Sequence, residues 1–594
     1  MKFFSFFFSL FFFAGMANAR EGGLPPVFGA EYAGKAFHDS RARSYLTPQR
    51  IVWQYDGGGK LISLPNALLA EGHNGQSELT GRAVCTMRSA DAEYPAILLD
   101  FGREIQGGIQ IVTGITDNHA PVKIRVRFGE SVSEAMSNKG EQGATNDHAV
   151  RDFIMEVPWL GVAETGNSGF RFVRIDLVEP NTELKLKEVN AVFTYRDIPY
   201  LGSFRSSDER LNRIWMTGAY TVHLNMQEYI WDGIKRDRLV WLGDLHPEVM
   251  TVSSVFGYNE VIPKSLDLAR DITPLPAWMN GMCSYSLWWI IIHRDWYRYQ
   301  GNRAYLKEQQ TYLTGLLQLL FTKVDASGKE QLDGGGRFLD WPSSENKEGV
   351  NAGLQALLTL AFQAGAELCA VLGDRQLSAE CSAVAARMQQ QVPHHNRLKQ
   401  AAALLSLAGM LPPEQANDEV IAVGGAKEFS TFYGYYMLQA QAKAGAYQEA
   451  LDNIRRFWGG MLDMGATTFW EDFNLDWMEN AAGIDEIVPE GKKDIHADFG
   501  AYCYENLRHS LCHGWASGPT AWLSEHVLGV QVVEAGGKAL RIEPHLGDLQ
   551  WVEGTFPTPY GTVKISHKKD ASGKIISSVK APKGVKIIGK SVKK

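Results

Sequence analysis

From about residue 206 to residue 527 the chain offers one helix-like segment after another and no convincing run of strands. Apolar residues recur at helical spacing in Tyr305–Lys323, Ala352–Gly373, Ala379–Gln391, Arg397–Ala408, Phe432–Ala444 and Ala446–Trp458. Ser206-Ser-Asp-Glu-Arg-Leu-Asn-Arg-Ile-Trp215 opens the region with Ser and Asp start signals, then apolar Leu211, Ile214 and Trp215. An all-α stretch of this length suits an (α/α)6 toroid, whose helix-end loops would form a cleft rich in aromatic residues.

Both flanks read as β. Val122-Lys-Ile-Arg-Val-Arg-Phe128 alternates apolar and charged residues with period two, the mark of a half-buried strand. Ala96–Phe101, Gly108–Val112 and Phe170–Leu177 behave similarly, with Gly, Asn and Asp between them. Residues 20–200 are therefore expected to form a jelly-roll-like β-sandwich, which braces the helical domain or binds sugar. The β pattern returns in Leu540-Arg-Ile-Glu-Pro544 and Gly561–Ser566, so residues 528–594 read as a small C-terminal β-sandwich. The catalytic domain would then span 201–527, in a chain too long for a single core.

Residues 1–19 have the form of a secretory leader: Lys2, the apolar run Phe3–Phe13 and the small-residue site Ala17-Asn18-Ala19. The run is too short to span a bilayer as a helix, and no later segment reads as a membrane span. The expected location is periplasmic or secreted. A net charge of −8 argues against a nucleic-acid partner. The ten Lys between Lys564 and Lys594 read as solvated strand faces and a tail. Cys85, Cys283, Cys369, Cys381, Cys503 and Cys512 form no CxxC pair. Buried free thiols are the expectation, although Cys369 and Cys381 could bridge neighbouring helices. No metal-ligand spacing is visible and no cofactor is expected.

Three patches carry the chemistry. Tyr229–Glu248 packs Asp232, Asp237, Asp244 and Glu248 among Arg236, Arg238, His246, Trp231 and Trp241. Buried charge is costly unless paired, and a solvated helix would not hold two Trp so close together. The second patch is Asp340-Trp341, after Gly334-Gly-Gly336. The third is Gly465–Phe473, containing Trp470 and Glu471, followed by His509–Trp515 with His513. Carboxylates beside indole faces suit sugar chemistry: acids and bases act on a glycosidic bond while an indole stacks on the ring. Each patch also has a plain reading. Asp232 and Arg236 could be a helix-surface pair, Asp340 a cap, Glu471 a structural ion-pair partner and His513 a core histidine.

In order and content these patches resemble the α-L-rhamnosidases of glycoside hydrolase family 78. The family's Asp-x-x-x-Arg-Asp-Glu-(x)3-Trp-x-Gly-Asp signature has its counterpart in Asp232-Gly-Ile-Lys-Arg-Asp-Arg-Leu-Val-Trp-Leu-Gly-Asp244. Its Asp-Trp loop corresponds to Asp340-Trp341, its Thr-Thr-x-Trp-Glu motif to Thr467–Glu471, and its Ser-Leu-Asn-His to Ser510-Leu-Cys-His513. Leu99–Gly108 and Gly169–Val173 look like its β-domain motifs. The resemblance implies exo-acting hydrolysis of terminal α-L-rhamnose or a related deoxysugar with inversion, on an oligosaccharide or polysaccharide. It implies Glu471 as general base and Asp232, Arg236, Trp241, Asp340, Trp341, Trp470 and His513 in the sugar pocket.

The general-acid position departs from the family. Arg236-Asp237 runs straight into Arg238, one residue short of the signature, so Asp237 is the first candidate, Glu248 the second and Glu228 a distant third. The shortening reshapes the wall facing the sugar, and Lys235, Arg236 and Arg238 would suit a uronate in an adjoining subsite. Two rivals remain: a polysaccharide lyase on the same kind of toroid, with no use for Glu471, and a non-catalytic glycan-binding protein.

Overall fold

The computed structural model describes residues 25–589 except 33, 37, 38 and 80–82, together with the strand Val592–Lys593. The leader at 1–19 lies outside the described residues. The N-terminal region is one nine-stranded sheet of β1 (Ala42–Leu46), β2 (Arg50–Tyr55), β3 (Ile62–Ser63), β4 (Cys85–Arg88), β5 (Ala96–Thr113), β6 (Val122–Gly129), β7 (Asp152–Val157), β8 (Val162–Leu177) and β9 (Glu183–Tyr195). The two strands expected at 96–101 and 108–112 are one. β8 runs along the length of β5, while β2 pairs with Ala96–Asp100 and β9 with Gly107–Thr113. Register shifts after Asp100 and Gly107 let β5 bend from one partner to the other. Its inward residues Ile97, Leu99, Ile105, Ile109 and Ile111 are fully buried against Ile124, Val126, Phe170 and Ile175.

A short helix, α1 (Val132–Met136), follows β6 with Ser131 as its side-chain cap. The central region is helical: α2 (Glu209–Asn225), α3 (Leu245–Val255), α4 (Val261–Asp271), α5 (Cys283–Gln300), α6 (Arg303–Glu308), α7 (Gln310–Phe321), α8 (Lys347–Leu372), α9 (Arg375–Met388), α10 (Lys399–Leu407), α11 (Pro413–Ala416), α12 (Gly434–Lys443), α13 (Tyr447–Asp463) and α14 (Gly518–Trp522). Caps set the ends. The Asp208 carboxylate accepts from the N–H groups of Arg210 and Leu211, and α8 runs from Asn346 to left-handed Gly373. By length and composition α8 could cross a membrane, yet 67% of its apolar window is buried, as in a core helix.

A strand at Ser203–Ser206, β10, pairs antiparallel with Val552–Thr555 and so belongs to the C-terminal sheets rather than to the helical region. The helical region itself begins at Glu209. The C-terminal region comprises a five-stranded sheet containing β10 and Trp551–Thr558, and a three-stranded sheet containing Val530–Glu534 and Ala539–Ile542. All six cysteines are unbridged; five are buried and Cys503 is exposed.

The N-terminal sheet is fastened to the loops that bear the chemistry. Arg171 grips Asp100 through two hydrogen bonds of 2.9 and 3.0 Å and also donates to the Gly465 carbonyl at 3.2 Å. The Glu104 N–H reaches Thr467 Oγ1 at 2.9 Å. On the other side the Gly169 N–H donates to the Ile234 carbonyl at 3.0 Å. A Cβ on Gly169 would meet the Ile234 side chain at 2.6 Å, so the close approach requires glycine. Lys235 completes the fastening: its ammonium lies 3.0 Å from Glu130 and 3.4 Å from Glu134. Glu130, Glu134 and His496 converge closely enough to hold a metal ion, and Lys235 already supplies the positive charge there.

Candidate active site

Between α2 and α3 the backbone leaves the helix, and Asp232, Arg236, Asp237 and Trp241 sit on this excursion. The plain helix-surface pairing of Asp232 with Arg236 is therefore replaced by other partners. Asp232 accepts from the Leu239 N–H at 2.9 Å, and Arg236 forms an ion pair with Glu471. Asp237 and Arg238 both adopt left-handed backbone, φ 54° and 60°. Such conformations cost of order 1–3 kcal/mol each and persist where surroundings over-determine them. Here Trp241 Nε1 donates to Asp237 at 3.0 Å, and Arg238 donates twice to Asn167.

Two more loops meet this one. The Glu471 N–H donates to the Ser510 carbonyl at 3.0 Å, while Trp515 Nε1 donates to the Glu471 carbonyl at 2.9 Å. The Gly514 N–H donates to the Asp232 carbonyl at 2.9 Å, which ties the 509–515 segment to the first loop. A Cβ on Gly514 would fall 1.5 Å from Glu248 Oε1, so the junction tolerates no side chain there.

The loops enclose a cavity of about 280 Å³ lined by Asp232, Arg236, Asp237, Trp241, Asp244 and Glu471, with His148, Trp341, His513 and Trp515. That is near the lower end of the roughly 300–1,000 Å³ typical of small-molecule sites, which suits one sugar ring. Three carboxylates converge on His513 Nε2: Glu471 at 3.4 Å, Asp232 at 3.7 Å and Asp244 at 3.8 Å. Their environments push them apart. Burial raises Glu471, but the Arg236 guanidinium and then His513 pull its carboxyl down to about 2. Asp232 lies well above the usual carboxylate range through burial and its neighbour Asp244. Burial pushes Asp244 up to about 7, against the pull of His513 and the Tyr285 hydroxyl, which donates at 3.0 Å. One carboxyl held low by its cationic neighbours thus faces two that burial shifts toward the protonated form.

Residues 199–404 match the bacterial alpha-L-rhamnosidase 6 hairpin glycosidase domain, and residues 529–588 match the bacterial alpha-L-rhamnosidase C-terminal domain. Both matched models describe domains of bacterial α-L-rhamnosidases. No curated protein matches the chain. Among solved structures, a family 78 rhamnosidase of Bacillus sp. GL1 superposes with TM-score 0.70 and 21% identity, covering 89% of this chain and 56% of its own. A Klebsiella oxytoca rhamnosidase with rhamnose bound gives TM-score 0.63 and 21% identity, covering 82% and 96%. A Streptomyces avermitilis α-L-rhamnosidase complexed with L-rhamnose gives 0.67 and 16%, covering 91% and 50%. These likenesses establish the rhamnosidase fold, a six-hairpin helical domain with β-sheet domains before and after it. The chain spans little more than half the length of the Bacillus relative and half that of the Streptomyces one.

Within this helical domain, Asp232, Arg236, Asp237, Trp241, Trp341, Glu471 and His513 come together as the sequence suggested. Three expected site residues do not line the cavity. Glu248 is enclosed on α3, where Oε1 accepts from Asn225 at 3.4 Å and Oε2 has no hydrogen-bond partner. Trp470 is buried edge-on against Phe473. Asp340 is buried too, accepting from Ser430 at 2.6 Å and Gln400 at 3.0 Å. It folds the turn that presents Trp341, pairing with Ser343, and does not line the cavity. A carboxylate beside Trp looks alike in sequence whether it faces a cavity or the core.

Several lining residues were given no role. Asp244, Phe338 and Trp515 stand inside the quoted patches, so the signal for them was present. Tyr285 and Tyr504 come from segments with no local mark. His148 belongs to the N-terminal region, on the connection from α1 to β7, and reaches Asp237 Oδ1 at 3.5 Å. Nothing near it in sequence announces that reach.

Asp244 supports a prediction with a definite sign. Its carboxyl stands at about 7 when folded against an ordinary 3.8, so folding favours the protonated form. That stabilisation is complete below pH 3.8 and is lost as pH rises through 7. Asp244→Asn, which cannot ionise, should gain on the parent by up to about 4 kcal/mol between pH 4 and pH 8. Urea unfolding at both pH values measures it, and a pH-independent difference would contradict the assignment.

Proposed function

We propose that the protein is an exported, exo-acting glycoside hydrolase that removes terminal α-L-rhamnose, or a related deoxysugar, from glycans by inversion. The helical domain is read here as a closed (α/α)6 toroid between two β-sandwiches, with export resting on the leader at 1–19. The observation that carries the reading is the one-ring cavity lined by Glu471, held low by Arg236, and by Asp237, beside Trp241, Trp341 and Trp515.

In this reading Glu471 takes a proton from a water as its oxygen attacks the anomeric carbon. The glycosidic C–O bond breaks, and a carboxylic acid gives its proton to the departing oxygen. Asp232 and Asp244, deep in the cavity, hydrogen-bond the sugar hydroxyls. Asp237 is the acid. Its side chain is 23% exposed, against 3% for Asp244, so it stands nearer the mouth, where the leaving oxygen of an exo-enzyme lies. Glu248, off the cavity wall, has no path to that oxygen.

A leaving-group series tests the acid. Asp237→Asn should lose about 10²–10⁴-fold on unactivated rhamnosides while keeping most activity on 2,4-dinitrophenyl α-L-rhamnopyranoside, whose leaving group needs no proton. Glu248→Gln should show no such split. The reverse pattern would move the acid to Glu248.

A further inference from the structure

A second hollow lies beside the cavity: His148, 3.5 Å from Asp237, lines both. This hollow has a volume of about 720 Å³, much larger than the first, and is walled by the N-terminal region together with Arg238. Of the three cations read in sequence as suited to a uronate, two are consumed. Lys235 is held by Glu130, Glu134 and the carbonyls of Leu507 and His509. Arg236 is held by Glu471.

Arg238 is different. Among the described residues it forms no ion pair: its guanidinium donates to the Asn167 carbonyl at 2.9 Å and the Asn167 side-chain oxygen at 3.0 Å. It lies over the Trp231 ring, 4.6 Å from the centroid. Neutral partners thus fix its direction on the hollow's wall, and the Glu228 carboxylate that acts on it is itself held by Arg41. The nearby Asp147 carboxylate is taken by an ion pair with Arg508. Val150, 54% exposed, adds an apolar surface to the same wall.

We propose that this hollow is the leaving-group subsite and takes a sugar bearing a carboxylate, which Arg238 binds. The inference rests on the hydrolase reading above, because Asp237, in contact with the His148 that the two cavities share, places the departing oxygen on that side. The sugar being removed then sits in the smaller cavity, and the rest of the glycan runs past His148 over the N-terminal region. That region contributes substrate contacts in addition to bracing the loops.

The test compares α-L-rhamnosyl-(1→4)-D-glucuronide with the matching D-glucoside, for the parent, Arg238→Gln and Arg238→Lys. The parent should favour the uronide by about tenfold or more in kcat/KM, as expected for one charge-assisted contact. Arg238→Gln should bring the ratio near one, mainly through KM, and Arg238→Lys should keep part of it. The preference should also shrink as salt is raised. A parent ratio near one, or a ratio unchanged in Arg238→Gln, would overturn the proposal. Should the parent cleave neither disaccharide nor an aryl rhamnoside, the hydrolase reading fails by itself. Calorimetry of the parent then decides the subsite: tighter binding of glucuronide than glucoside supports it, and equal binding overturns it.

Discussion

Glu471→Gln is expected to lower kcat on 4-nitrophenyl α-L-rhamnopyranoside by about 10²–10⁴-fold, the usual contribution of a general base. The substitution keeps the side chain's size and an oxygen for the Arg236 guanidinium, so binding should suffer less than turnover. The cause is chemical: an amide cannot take the proton of the attacking water. Azide, which needs no base to attack, should then restore cleavage and form a glycosyl azide of inverted configuration. Full activity in Glu471→Gln would remove Glu471 from the mechanism. Lost activity without azide rescue would point to a collapsed pocket instead.

Arg236→Met should be the most destabilising single change in the site. The guanidinium is buried between Glu471 and the Tyr504 ring, 4.3 Å from the ring centroid. Removing it leaves a buried carboxylate with only His513, His509 and the Ser510 N–H to offset its charge, a loss of about 3–5 kcal/mol. The sign with pH follows from Glu471, held at about 2 against an ordinary 4.5. The pair's contribution is present above pH 4.5 and fades as pH falls through 2, so the difference between parent and variant should be largest at neutral pH. The acid limb of kcat/KM should also move to higher pH in Arg236→Met. An unmoved limb would mean that Arg236 does not set the charge of Glu471.

Helices were legible where local rules decide. Helical spacing marked α8, α9 and α13, and the caps Asp208 and Asn346 obey side-chain chemistry read within three residues. Strand β6 followed from alternation, as did parts of β5, read as two strands, and the second half of β8. What escaped was set by distant parts of the chain. β10 looks like the entry to a helix but completes a sheet made more than three hundred residues later. The left-handed Asp237 and Arg238 are held by Trp241 and by Asn167 of another domain, and no propensity scale reports that. In the site, the motif residues fell together because three loops share hydrogen bonds. Glu248, Trp470 and Asp340 fell outside because spacing along a chain does not say which side of a wall a side chain takes.

The central claim is hydrolysis with inversion in a one-ring pocket. Proton NMR of the first sugar released from 4-nitrophenyl α-L-rhamnopyranoside by the parent tests it most directly. The account predicts β-rhamnose at the earliest times, before mutarotation equilibrates the anomers. α-Rhamnose as the first product, an unsaturated product absorbing in the ultraviolet, or no release from any deoxyhexoside would contradict it.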